Sequence, residues 1–282
     1  MYSLKVENDR GNTLELTGNP NYTVYKIEGL TPPKASINMS SNATTDGDTV
    51  NSVRLENRNI VIYTTVNSDV ETNRINLYKY FPVKKNIKLY FSNESREVYI
   101  EGRVELIECD LFTERQVAQI SIICPKSYFK AVDNLVTMFS DVSSLFEFPF
   151  SISKDGIEFS AITANIRKSI INTGDVETGI IINLFAKGTV VNPVIYDVLK
   201  RTQLRLNFEM IAGDSIVINT NAGEKSIELI RAGVSRNIIG NMAKNSTWFV
   251  LESGDNVFAY DAESGNNSLQ LSFTTSILYS GV

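Results

Sequence analysis

The stretch NIKLYFSNESREVYIEGRVELIECDLFTERQVAQISIICP, residues 86–125, decides the fold reading. It divides into three strands joined by two short turns. In REVYIEGRVELIECD, Val98, Ile100, Gly102, Val104, Leu106 and Glu108 share one parity. Tyr99, Glu101, Arg103, Glu105 and Ile107 share the other. One face is apolar and the other mostly charged, the pattern of an antiparallel strand with one solvated side. QVAQISIICP pairs back onto it through a turn at Leu111–Glu114. So much strand pairing, with so little around it that looks reactive, points to a chain built to assemble rather than to catalyse.

Towards the N-terminus, LKVENDRGNTLELT alternates about a turn at Asp9–Gly11, and YTVYKIEGL is a further strand. Pro32 and Pro33 belong in a loop or at an edge, because proline cannot donate to a ladder. SSNATTDGDTV reads as a polar loop with an Asp46-Gly47 turn, and RNIVIYTTV as an apolar strand. In DVETNRINLYKYF, Val70, Arg74, Ile75, Tyr78 and Phe81 fall at helical spacing. Asp69 is the expected N-cap and Pro82 the stop. Tyr80 lies off that stripe, an outward aromatic that hints at an interface.

Residues 131–150 break the pattern and read as an irregular connection between domains. Beyond them come EFSAI, KSIINTG, TGIIINLFAKGTV, QLRLNFEM, DSIVINT, KSIELIR, TWFVLESG, NVFAYDA and LQLSFTTSILYSGV, separated by turn signals. That succession predicts a β-sandwich of jelly-roll type. The fold class expected is mainly β: an N-terminal β-barrel-like sheet with one helix, then a galectin-like or jelly-roll sandwich. The domains are residues 1–130, a connection at 131–150, and 151–282.

The 282 residues contain no histidine, which removes Ser-His-Asp and Cys-His nucleophile systems and every histidine-containing metal site. A net charge of −5 gives no general attraction to polyanions. Cys109 is expected to face residues near Gln116, several pairs along the hairpin from Cys124, too far for a disulfide, so both are expected as free thiols. No run reaches the length of a membrane span, and MYSLKVENDRGN lacks the basic start and apolar core of a signal peptide. The Asn-x-Ser/Thr sequons at Asn21, Asn38, Asn42, Asn93, Asn245 and Asn266 therefore carry no glycosylation reading.

Candidate chemistry is sparse. Glu105, Glu108 and Asp110 form the densest acidic group, and a glycosidase needs two such carboxylates; a solvated strand face explains them as well. GDVETG, residues 174–179, imitates the glycines of a phosphate loop but has Ile180 and Ile181 where lysine and Ser/Thr belong. TTDGDT lacks the ligand spacing of a calcium loop. Trp248 could serve as a sugar platform. Alternation in a strand places Trp248 with Val250 and Phe249 with Leu251, so one aromatic points away from the core. No catalytic, cofactor-binding or metal residue is assigned, and no enzyme activity is expected.

The order of features resembles the distal tail protein family of phages with long non-contractile tails. The residues carrying this are YTVYKIEGLTPPKASINMS, DGDTVNSVRLENRNIVIYTTV, ETNRINLYKYF, YIEGRVELIECDLF, QISIICPKSYF, GDSIVINTNAGEKSIELIRAGVSRNIIGNM, STWFVLESGDNVFAY and YSGV. CPKSYF departs from the family, where an acidic residue and a second proline are more usual. The resemblance implies a homo-hexameric ring made by the first domain, in register with the tail tube protein. A lumen would hold the tape-measure protein and let DNA pass without specific binding. The second domain would project as a hub for tail-tip or receptor-binding proteins. Such a protein is made in the host bacterial cytoplasm and ends in the virion, at the tail tip or baseplate. Ring contacts fall, on this reading, to the free edges of residues 86–125, with Glu101, Arg103 and Glu105 lining the lumen or meeting a neighbour. The alternative is a carbohydrate-binding module of a baseplate.

Overall fold

The structure, a computed structural model, describes residues 2–44, 46–113, 115–144, 160–164 and 167–282; of residues 140–144 and 160–164 the backbone alone is described. The chain is mainly β. It divides into two compact units, Met1–Val132 with Leu278–Val282, and Asp133–Ile277.

The first unit contains β1 (Ser3–Glu7), β2 (Thr13–Glu15), β3 (Tyr22–Glu28), β4 (Ala35–Ser41), β5 (Asp48–Leu55), β6 (Arg58–Val66), α1 (Val70–Tyr80), β7 (Asn86–Ser92), β8 (Glu97–Cys109) and β9 (Val117–Cys124). β10 (Phe129–Met138) starts in this unit and continues into the second. The main sheet runs β2-β1-β7-β8-β9-β6-β3, antiparallel throughout. Its apolar face carries Leu4, Val6, Ile60, Ile62, Leu89, Ile100, Ile120 and Ile122, all 2% exposed or less, and α1 covers it through Leu77 and Phe81. Burying side chains of that size stabilises the unit by about 1.5–3 kcal/mol each before ordering costs.

The three strands over residues 86–125 are present, but the alternation along β8 is broken. Val104 pairs with Ile122 and Leu106 with Ser121, so Glu105 is an extra residue, a β-bulge. Beyond it the faces exchange: Ile107 and Cys109 pack towards the core, while Leu106 is exposed. Glu101, Arg103 and Glu105 all remain exposed. Cys109 stands opposite Ala118, near Gln116 as expected, and both cysteines are free. Burial pushes the Cys124 thiol up to about 12. The turn expected at Leu111–Glu114 falls in the connection from Cys109 to Val117; Glu114 itself lies outside the described residues.

The helix forms where expected and ends before Pro82, but it is rotated. Its buried residues are Asn73 and Leu77, followed by Phe81, while Ile75 and Tyr78 are 43% and 36% exposed. A buried asparagine is tolerated because its polar groups are used: the Asn73 amide donates to Ser68 O, and the Tyr22 hydroxyl donates to Asn73 O at 3.0 Å. Tyr80, expected to point outward, is half-buried against the core. Asp69 is left-handed at φ 40 and makes no side-chain cap. Arg74, at the helix edge, bonds Glu71 and the Tyr78 hydroxyl.

The second unit holds the remaining strands. They are β11 (Ser140–Ser144), β12 (Ser160–Ala164), β13 (Arg167–Asn172), β14 (Ile181–Ala186), β15 (Val190–Asp197), β16 (Thr202–Arg205), β17 (Glu209–Met210), β18 (Ser215–Asn219), β19 (Ser226–Arg231), β20 (Val234–Asn237) and β21 (Gly254–Ser264). β22 (Leu269–Tyr279) leads back to the first unit. One sheet runs β22-β14-β18-β19-β20 and the other β13-β21-β15-β16, with β17 also on β15. Ile182, Leu184, Ile216 and Ile218 from one meet Ile195, Phe258 and Tyr260 from the other in a shared core, which makes a β-sandwich. Edge-to-face rings at its centre include Phe258 with Phe273, centroids 4.9 Å apart.

Two expectations fail here. Residues 131–150 are not irregular throughout, because β10 and β11 occupy residues 129–138 and 140–144; Phe148 and Pro149 lie outside the described residues. TWFVLESG is not a strand. It contributes an isolated bridge, Thr178 to Leu251, and the paired strand starts only at Gly254. VVNPVIYD, in contrast, is a full strand despite Pro193.

Candidate functional site: a hairpin arm and its root

Among the described residues β4 and β5 pair only with each other, a two-stranded ribbon apart from the main sheet. Asp46-Gly47 forms its tip, where Gly47 takes φ 88, a conformation glycine adopts without a Cβ clash. Thr45 lies outside the described residues. The register puts Ile37 opposite Val53 and Met39 opposite Val50, so these four share one face. Each is more than half exposed, Val53 most at 62%. The other face is polar, with Ser36 opposite Arg54 and Asn38 opposite Ser52. A two-stranded ribbon is marginal in water by itself, and Ile37, Met39, Val50 and Val53 form an exposed apolar row along it.

The ribbon's root is fixed. Gly29 sits at φ 83 so close to β6 that a Cβ would lie 2.1 Å from Asn59 O. Beneath it is Arg58, 3% exposed and without a carboxylate partner in the described contacts. Its guanidinium donates to Gly29 O, to Thr31 O at 2.7 Å, to Ser127 O at 2.9 Å and to Ser280 O at 2.7 Å. It also lies 4.5 Å from the Phe129 ring centroid. A planar fork of five donors suits a cage of carbonyls, which satisfies hydrogen bonds without cancelling charge. Burial accordingly pulls the Arg58 pKa down from its ordinary value.

Two hollows flank these elements. A groove of about 310 Å³ is lined by Leu4, Val24, Ile27, Leu30 and Phe91, with Val282 in its wall. A wider cleft of about 540 Å³ carries Glu7, Asp9 and Glu101 against Lys88, Arg103, Lys126 and Lys130, so its charges are mixed rather than one-signed. Neither has the one-signed lining of a polyanion site.

The residues singled out from sequence are not brought together. Glu105, on the opposite parity from Glu108 and Asp110, is the bulged residue and accepts from Ser121 Oγ at 2.9 Å. No group of three potential metal ligands occurs among the described residues. Trp248 is half-buried on the sandwich core, with the Lys225 ammonium 5.6 Å from its ring centroid. Phe249 is the fully buried one of the pair. The tryptophan ring is therefore already engaged, and nothing here favours the sugar platform. In residues 174–179, Gly179 serves close packing, since a Cβ there would fall 2.5 Å from Asn221. The arm escaped the sequence reading because β5 was taken as part of a polar loop. The Asp46-Gly47 turn between Ile37, Met39 and Val50, Val53 was the signal for it.

Residues 173–276, within the second unit, match the family model described as siphovirus-type tail component, C-terminal domain. That stretch is similar to a phage tail-component domain. Among solved structures, the crystal structure of SPP1 Dit, described as a paradigm of hub adsorption apparatus in phages infecting Gram-positive bacteria, aligns with a TM-score of 0.67. The identity is 11%, and the alignment covers 98% of this chain and 98% of that one. At that identity the likeness is one of fold. The activated phage P2 baseplate structures with Ca and with Sr follow at TM-scores of 0.49 and 0.48 and 10% identity, over 97% of this chain and 98% of theirs; these scores carry no argument. A search of curated proteins finds no match. The resemblance to phage distal tail proteins drawn from sequence is borne out by the tail-component domain and the fold. No helix among the described residues is long and apolar enough to cross a membrane.

Proposed function

We propose that this chain is a structural hub at the distal end of a phage tail. Copies close into a ring, six by analogy with the family, through their first units. The tail-component domain then presents docking surface for tail-tip or receptor-binding proteins, and DNA and the tape-measure protein pass through the lumen unread. The work is mechanical, and no catalytic step is assigned to any residue. The observation that carries this reading is the match of residues 173–276 to the siphovirus-type tail component.

The strand edges within residues 86–125 support ring contacts less well than the sequence pattern suggests. β7 is flanked by β1 and β8, and β9 by β6 and β8, so those edges are covered within the chain. The surface that supports association instead is the apolar face of the β4–β5 arm. A heterologous contact between such an arm and a different patch on the next copy closes into a ring when the rotation permits.

Native mass spectrometry of the full chain tests this. A six-copy species is expected, and Val53→Asp is expected to leave monomer with an unchanged melting temperature. A chain that is strictly single-copy, both alone and within its particle, would falsify the hub.

A further inference from the structure

The last residues do not belong to the unit that precedes them. β22 rises through the tail-component domain, and from Leu278 the chain belongs to the first unit again. There Tyr279–Val282 lies along the arm root as a strap. The Val282 N–H donates to Leu30 O at 3.2 Å. Gly281 approaches so closely that a Cβ would stand 3.1 Å from Leu30 O and 3.3 Å from Pro32 Cδ. Arg96 donates to Gly281 O at 2.7 Å and stacks on Tyr279, 4.4 Å from the ring centroid. Arg58 joins the two sides: one nitrogen serves Gly29 O and Thr31 O in the root, and another serves Ser280 O in the strap.

The root has two legs. The returning leg is tied to the outgoing one, Glu56 N–H donating to Lys34 O at 3.0 Å, and Ser127 Oγ donates to Glu56 O. The outgoing leg, residues 29–33, is held by Arg58 and by the strap. We propose that Tyr279–Val282 is a latch: it ties the final strand of the tail-component domain to the root of the hairpin arm, and slackening it loosens the arm. The arm has no core of its own to resist this, since its apolar face is uncovered and a free ribbon is marginal. The strap and the last strand are one continuous length of chain, so a load on the domain reaches the root through covalent bonds and a few hydrogen bonds. The latch goes beyond the hub reading and does not depend on it, because its parts all lie within one copy.

Hydrogen exchange of the full-length chain, followed by mass spectrometry at fixed oligomeric state, tests it with two variants. Arg96→Met removes the donor to Gly281 and the ring contact while keeping a side chain of similar length. A chain ending at Leu278 removes the strap outright. Exchange at residues 54–57, where Glu56 N–H is bonded to Lys34 O, is expected to rise at least tenfold in the shortened chain and by a smaller factor in Arg96→Met. Exchange in residues 117–124 and 181–186 is expected to stay unchanged. Root exchange that is unaltered in the shortened chain overturns the latch. So does a rise in residues 117–124 equal to that at the root, which makes the strap part of the core instead. An Arg96→Met chain in which Val282 N–H is freed while the root stays protected also overturns it. None of these outcomes depends on whether six copies assemble.

Discussion

Arg58 and Ser280 stand 222 residues apart in the chain, and Arg58 Nη2 donates to the Ser280 carbonyl at 2.7 Å. The same guanidinium holds Gly29, Thr31 and Ser127 by their carbonyls. One side chain thus joins the start of the arm, the end of the β9–β10 connection and the returning end of the chain. Ordering three segments at once costs conformational entropy, and charge-assisted bonds in a site sheltered from water offset it.

Arg58→Met is therefore expected to destabilise the first unit by about 3–5 kcal/mol, since it leaves buried carbonyls without a donor. Arg58→Lys is expected to recover only part of this, because a compact ammonium cannot serve carbonyls spread round a planar fork. Urea unfolding followed by circular dichroism measures both. A loss under 1 kcal/mol for the methionine variant would show that water replaces the guanidinium without penalty.

Gly29 and Gly18 separate two costs that sequence cannot tell apart. Both have positive φ, 83° and 72°. At Gly29 a Cβ would lie 2.1 Å from Asn59 O, whereas at Gly18 nothing lies within 4 Å. Gly18→Ala should cost about 1 kcal/mol, the left-handed backbone term alone. Gly29→Ala should cost about 2–5 kcal/mol, because β6 must also move. Equal costs would mean that the arm root yields freely.

What the sequence made legible follows from period. Apolar alternation in residues 86–125 reported the strands correctly, because a single core face imposes it. It failed after Glu105, where one inserted residue exchanges the faces and leaves no mark in composition. The helix was found by its length and its proline stop, but its buried side was not, because a satisfied Asn73 replaces an apolar residue at the centre of the stripe. Trp248–Leu251 alternates like a strand yet is held by a single bridge and by core packing of Phe249 and Leu251. The arm needed long-range information: its residues alternate, but only their exposure in the folded chain shows that the apolar face is uncovered. Arg58 gave no signal at all, since its four acceptors are backbone carbonyls.

Asp214 offers a pH test confined to the second unit. Its side chain is 1% exposed and takes a two-pronged bond from Arg231, at 2.8 and 2.6 Å, with Ile211 N–H adding a third at 2.9 Å. The Arg231 fork first, and the backbone donor after it, hold the carboxyl below its usual range. A carboxyl with a depressed folded pKa contributes stability that is complete above its unfolded value, about 3.9, and is lost as pH falls through the folded value. Acid should therefore weaken the sandwich below about pH 4. Asp214→Asn should cost about 1–3 kcal/mol at pH 7, towards the lower end because the Arg231 side chain is 43% exposed and screened by water. Its stability should then fall less between about pH 4 and pH 2 than that of the unaltered chain, because the asparagine has no proton to take up. Melting temperatures of both proteins across pH 2–7 measure the difference, and parallel curves would show that Asp214 titrates as freely in the folded sandwich as in the open chain.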